Sequence, residues 1–121
     1  MSLCSAVHAS LTRGPKEAGP DAFEADFFFG RDFAGFDGHF PGNPILPGVV
    51  QILAAAFAVA PDGPERILQL RRTKFLSMVR PGDAMSVCAR CRELPEGLLV
   101  DARCATRNGL CAQIKLLLEK V

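Results

Sequence analysis

The sequence contains no tryptophan and no tyrosine; its nine aromatic residues are all phenylalanine. Grooves that hold single-stranded nucleic acid combine aromatic platforms with strong positive charge. Here 14 Lys and Arg stand against 13 Asp and Glu, a net charge of +1, so no field draws the chain to nucleic acid or to an anionic membrane. Long apolar runs are also lacking. The most apolar stretch, residues 49–60, falls short of the roughly 20 residues a spanning helix needs. The first dozen residues show no charged start followed by an apolar core, so no secretory leader is read there. These features point to the cytoplasm, with neither nucleic acid nor membrane as a partner.

Metal-binding patterns are equally sparse. The five cysteines are Cys4, Cys88, Cys91, Cys104 and Cys111, an odd number that favours reduced thiols in a chain without a leader. Cys88 and Cys91 form a C-x-x-C, but neither a second pair nor a nearby histidine accompanies them. They also lie in a stretch that reads as a strand, where positions three apart face opposite sides. The cysteines are therefore read as small apolar residues in or near a core, with no metal and no cofactor expected.

What is present suits one domain over residues 1–121: 49% of the residues are hydrophobic and 22% charged, with no repeat or linker. Residues 5–11 read as a first strand. Residues 13–20 read as a loop, because Gly and Pro interrupt a strand ladder. Residues 23–29 read as a second strand and 31–36 as a connector. Further strands are expected at 66–70, 73–76, 84–90, 98–105 and 110–118. The turn signals Arg80-Pro81-Gly82-Asp83, Pro95-Glu96-Gly97 and Arg107-Asn108-Gly109 punctuate them, as in an antiparallel meander. The Asn-Gly signal is why residues 114–120 are read as strand rather than helix.

Gly38-His39-Phe40-Pro41-Gly42-Asn43-Pro44-Ile45-Leu46-Pro47-Gly48 holds three prolines among its glycines and excludes regular structure. Residues 49–60 after it read as a helix, begun at the Pro47-Gly48 corner and stopped by Pro61. Only Gln51 in it is polar. A helix apolar on nearly every side must be buried on nearly every side, and a small domain achieves this by wrapping a sheet around it.

The run from Phe36 to Val49 resembles the signature of FabZ/FabA-type 3-hydroxyacyl thioester dehydratases, roughly G-H-F-P-G-x-P-x-x-P-G-V. Lys74-Phe75 followed by Arg80-Pro81-Gly82-Asp83 is similar to the family's segment after the helix. The likeness runs from about Phe23 onward, and the shorter N-terminal part is more like compact dehydratases of aryl-polyene and related lipid pathways. The resemblance implies an α+β hotdog fold, an antiparallel sheet wrapped around one central helix. It implies a homodimer or higher homo-oligomer, with acyl sites at the subunit interface and acyl-ACP or acyl-CoA as substrate. The activity implied is loss of water from a 3-hydroxyacyl thioester to give the trans-2-enoyl thioester. His39 matches the family's base, and imidazole titrates near working pH. Gly48 matches the residue whose backbone N–H faces the thioester oxygen, at a helix N-terminus where free N–H groups favour negative charge. Phe40, Pro41, Gly42, Pro47 and Leu53 fall at substrate-binding positions.

One position departs from the pattern. The family carries Glu or Asp fourteen residues after the histidine, and here Leu53 stands there. Gln51 does not replace it, being two residues and about 200° away around a helix. Losing a general acid forfeits about 10²–10⁴ in rate. Asp37, or an acid from a different hotdog subunit in a heterodimer, are the replacements open to a dehydratase. The alternatives are a hotdog acyl thioesterase and a non-catalytic acyl-binding subunit. Arg71, Arg72, Lys74 and Arg80 flank Phe75, either as a docking patch for an acidic carrier protein or as ordinary charged strand faces.

Overall fold

A computed structural model describes residues 2–36, 44–60, 62 and 66–119. Six antiparallel strands form one sheet: β1 (Leu11–Gly19), β2 (Ala22–Phe28), β3 (Ile67–Phe75), β4 (Ala84–Leu94), β5 (Gly97–Thr106) and β6 (Gly109–Leu118). Their spatial order is β1-β2-β4-β5-β6-β3. Among the described residues, two helices, α1 (Leu3–Ala9) and α2 (Gly48–Phe57), and one 3₁₀ turn (Ala34–Phe36) accompany the sheet. This is the α+β hotdog. No described helix is long and apolar enough to cross a membrane.

The alternation of β4 sets the inner face. Met85, Val87 and Ala89 are buried while Ser86, Cys88 and Arg90 are exposed. Val100, Ala102 and Cys104 of β5 and Ile114, Leu116 and Leu118 of β6 continue that inner face. Against it lies α2, whose Ala54, Ala55 and Ala56 are fully buried. Small side chains let a sheet close around a helix on several sides, which explains the alanine run. The helix runs over Gly48–Phe57 where 49–60 was expected, starting one residue earlier and ending three earlier, with Ala58 as its C-cap.

The N-terminal region differs from the sequence reading twice. Residues 5–11 were expected as a strand, but Leu3–Ala9 is a helix. Ser2 caps it, its Oγ accepting from the Ser5 N–H at 3.1 Å, and Leu3, Ala6 and Val7 pack inward at the helical spacing i, i+3, i+4. Seven residues are too few for the two periodicities to be told apart. Residues 13–20 were expected as a loop, yet Leu11–Gly19 is a strand. It is the sheet's edge, where a proline without an N–H costs no ladder bond, and its pairing with β2 shifts register around Gly14-Pro15.

Other elements match more closely. Strands expected at 66–70 and 73–76 are one continuous β3 paired with β6. Residues 110–118 are strand, as the hairpin signal implied. Cys104 and Cys111 are buried as expected and Cys91 is half-buried, but Cys4 and Cys88 are exposed, contrary to the expectation that the cysteines pack in or near the core, Cys88 because it faces the outer side of β4.

Candidate functional site

The site is built around the first turn of α2. Pro47, with φ −62° and ψ 147°, is the N-cap, and no side chain caps the helix. Its carbonyl accepts from the Val50 N–H at 3.0 Å, but the Gly48 N–H has no acceptor among the described residues. An amide directed outward at the positive end of a helix is suited to an oxygen that gains negative charge. The missing Cβ at Gly48 has a packing partner. A methyl there would lie 2.7 Å from Cζ of Phe75, so the ring tip rests on the glycine backbone. Phe75 is half-exposed, and the sequence places it in the family segment and amid basic residues without its contact to Gly48.

Phe75 reaches this place through a bulge. Cys104 pairs with Ala112 but Ala105 with Leu110, so Cys111 is an extra residue in β6. Both Cys111 and Ala112 consequently face inward. The Cys111 carbonyl accepts from the Leu76 N–H at 2.9 Å, fixing the end of β3 beside the start of α2. The Cys111 thiol lies 3.8 Å from Oε1 of Gln51, one helical turn beyond Gly48. Gln51 is the single buried polar or charged side chain among the described residues. Burial pushes the Cys111 thiol up to about 11; its own backbone opposes that rise, and Asp83 adds to it.

Two motifs distant in sequence are joined here. The Leu46 N–H donates to the Val79 carbonyl at 2.8 Å, and the Gly82 N–H donates to the Phe29 carbonyl at 2.8 Å. Arg80-Pro81-Gly82-Asp83 is a turn in which the Asp83 N–H bonds the Arg80 carbonyl at 3.0 Å. Gly82 has φ +89°, the conformation that a type II turn demands after proline. An edge-to-face chain of Phe29, Phe33 and Phe36, with centroids 4.8 and 5.7 Å apart, leads from β2 to residue 36. Buried Phe36 and Leu46 thus flank the signature segment.

His39, Phe40, Pro41 and Gly42 lie outside the described residues, as does Asp37. Of the other expected site residues, Pro47 and Gly48 meet at the helix start. Leu53 is partly buried on α2 with Ile52, beside half-exposed Val49. The basic residues near Phe75 separate. Arg71 pairs with Glu96 at 3.6 Å, Arg72 turns to the outer sheet face, and Arg80 belongs to the turn before β4.

Comparison with known proteins follows the same outline. A family described as ApeI-like, "ApeI dehydratase", matches residues 16–113. A 3-hydroxyacyl-[acyl-carrier-protein] dehydratase FabZ of Oenococcus oeni is 36% identical over 83 residues, covering 61% of this chain and 60% of that protein. The chain thus spans about 60% of the length of that curated relative. Among solved structures, the dehydratase heterocomplex ApeI:P of Xenorhabdus doucetiae superposes with a TM-score of 0.71 at 22% identity. It covers 87% of this chain and 93% of that one. A hypothetical thioesterase with coenzyme A from Streptococcus pneumoniae has a TM-score of 0.65 at 10% identity, over 96% and 93% of the two chains. Both share the fold.

Proposed function

Since the chain belongs to the ApeI-like dehydratase family, we propose that it removes water from 3-hydroxyacyl thioesters, with an acid supplied by a partner subunit. The observation that carries this reading is the unacceptored Gly48 N–H at the start of a buried helix, immediately after the histidine-bearing segment. In the proposed reaction His39 takes the C2 proton. The Gly48 N–H receives the thioester oxygen as charge builds on it. The C3–O bond then breaks, and the hydroxyl leaves as water after protonation by an acid.

That acid is absent from the expected place on α2, where Leu53 has no proton to give. The Xenorhabdus doucetiae neighbour is a dehydratase heterocomplex. By analogy, we propose a second hotdog subunit as the source of the acid here, with acyl-ACP or acyl-CoA as the substrate. Half-exposed Val49, Leu70, Phe75 and Met78 support a subunit contact at β3 and the start of α2. Leu53 also favours a second reading, an acyl-binding subunit that does no chemistry.

The test measures enoyl thioester formed from short- and medium-chain 3-hydroxyacyl thioesters on either carrier. Leu53→Glu should raise turnover of the isolated chain by about 10²-fold or more, the share a general acid contributes. His39→Ala added to it should remove the gain. No enoyl product from the Leu53→Glu protein or from the chain mixed with an acid-bearing hotdog subunit, with the thioester bound and not hydrolysed, would leave only the non-catalytic reading.

A further inference from the structure

The face of the sheet turned away from α2 carries a groove of about 670 Å³, within the roughly 300–1,000 Å³ of small-molecule sites. Its charged lining is Arg72, Arg90, Arg103 and Lys115 against Glu24 and Asp101. Both carboxylates have cations of their own: Lys16 lies 3.9 Å from Glu24, and Lys115 lies 3.8 Å from Asp101. The guanidinium groups of Arg72, Arg90 and Arg103 have no ion pair and no side-chain hydrogen bond among the described residues.

Register places these charges close together. Arg72 is directly opposite Lys115 across β3 and β6. Arg103 is diagonal to Arg90 across β4 and β5, and diagonal to Lys115 across β5 and β6. Like charges directly opposite in a ladder destabilise it, and long side chains also meet along diagonals. Nothing in the packing of the inner face calls for cations here. A multiply charged anion would convert this repulsion into binding. Guanidinium forks match phosphate oxygens two at a time, which a lysine cannot do.

We propose that this outer groove binds a ligand bearing adjacent phosphate groups, at a site separate from the acyl site at the start of α2. The same chemistry occurs in a free diphosphate and in the diphosphate of a nucleotide, and the experiment separates them.

Thermal unfolding of the whole chain is followed with inorganic pyrophosphate, ADP or sodium chloride, all at one ionic strength. Pyrophosphate and ADP should give saturable rises in Tm, about 5 °C at tenfold excess over Kd, beyond the chloride control. A greater rise with ADP than with pyrophosphate assigns the nucleotide; equal rises assign the diphosphate alone. Arg90→Gln with Arg103→Gln, both at exposed positions, should weaken binding at least about tenfold by calorimetry. Arg72→Gln should raise Tm without ligand, because the repulsion with Lys115 is gone, and should reduce the ligand-induced shift. A response no larger than that to chloride, or one unchanged in the double variant, would overturn the proposal.

Discussion

Gly48 answers to two neighbours, the tip of the Phe75 ring and the oxygen it is proposed to bind. The two demands separate by mutation. Gly48→Ala places a methyl 2.7 Å from Cζ of Phe75, which a half-exposed ring relieves by swinging outward, at about 1 kcal/mol. Phe75→Ala in the same chain should restore stability in urea titrations. Dehydration should stay low, because the methyl still crowds the amide; recovery of turnover would show that the glycine serves packing alone. At the cysteines the readout is pH. Burial pushes the Cys104 thiol up to about 12, with Cys111 and then Cys88 adding to it, from an ordinary value of 9.0. Burial likewise raises Cys111 to about 11. The folded chain therefore holds these protons more tightly than the unfolded chain. The stability they confer is intact below about pH 9 and lost as pH rises from 9 toward 11–12. Tm measured across that window should fall, and Cys104→Ala should make the fall shallower; an unchanged slope would refute the assignment.

Among the elements, α2 is the one the sheet closes on. Ala55 is fully buried on a helix that contacts β4, β5 and β6. Ala55→Leu should cost about 1–3 kcal/mol in urea denaturation, since a close-packed layer has no room for three more carbons. An unaltered midpoint would mean the sheet does not close on the helix as described. Strand β3 is the opposite case. Apart from Ile67 its residues are exposed, and it ends the sheet. Its start and end were legible as two short strands, whereas the shift in pairing between Leu70 and Arg72 that makes them one strand was not. A bulge depends on the partner strand, and the local sequence does not encode the partner. The same holds for Cys111, whose inward turn comes from the mismatch between β5 and β6.

At the level of the whole molecule, apolar side chains remain uncovered along the edge strand β3, just after it and at the start of α2. Leu70 is 49% exposed, Phe75 48%, Val49 50% and Met78 54%. Covering the exposed half of each large side chain stabilises an association by about 1 kcal/mol. The protein should sediment as a dimer or larger at micromolar concentration, and Leu70→Lys with Met78→Lys should shift it toward monomer. A wild-type chain that stays monomeric with every hotdog partner offered would remove the shared acyl site.

Some of this molecule follows from the chain alone. In the apolar 49–60 stretch between two prolines, the alanine run and the length favour a buried helix over a buried strand pair. Alternation in 84–90 and 98–105 dictates strands with one wet face. The Gly-Pro-rich signature carries the family resemblance, and the leucine at position 53 is visible without any coordinates. Tertiary structure alone decided that residues 3–9 form a helix and that Gly14-Pro15 sits in an edge strand. It also decided that Phe75 rests on Gly48 and that four cations gather behind the sheet. Periodicity is a property of neighbours along the chain, whereas edge position, register and ring contact are properties of neighbours across it, which exist only once the strands have paired.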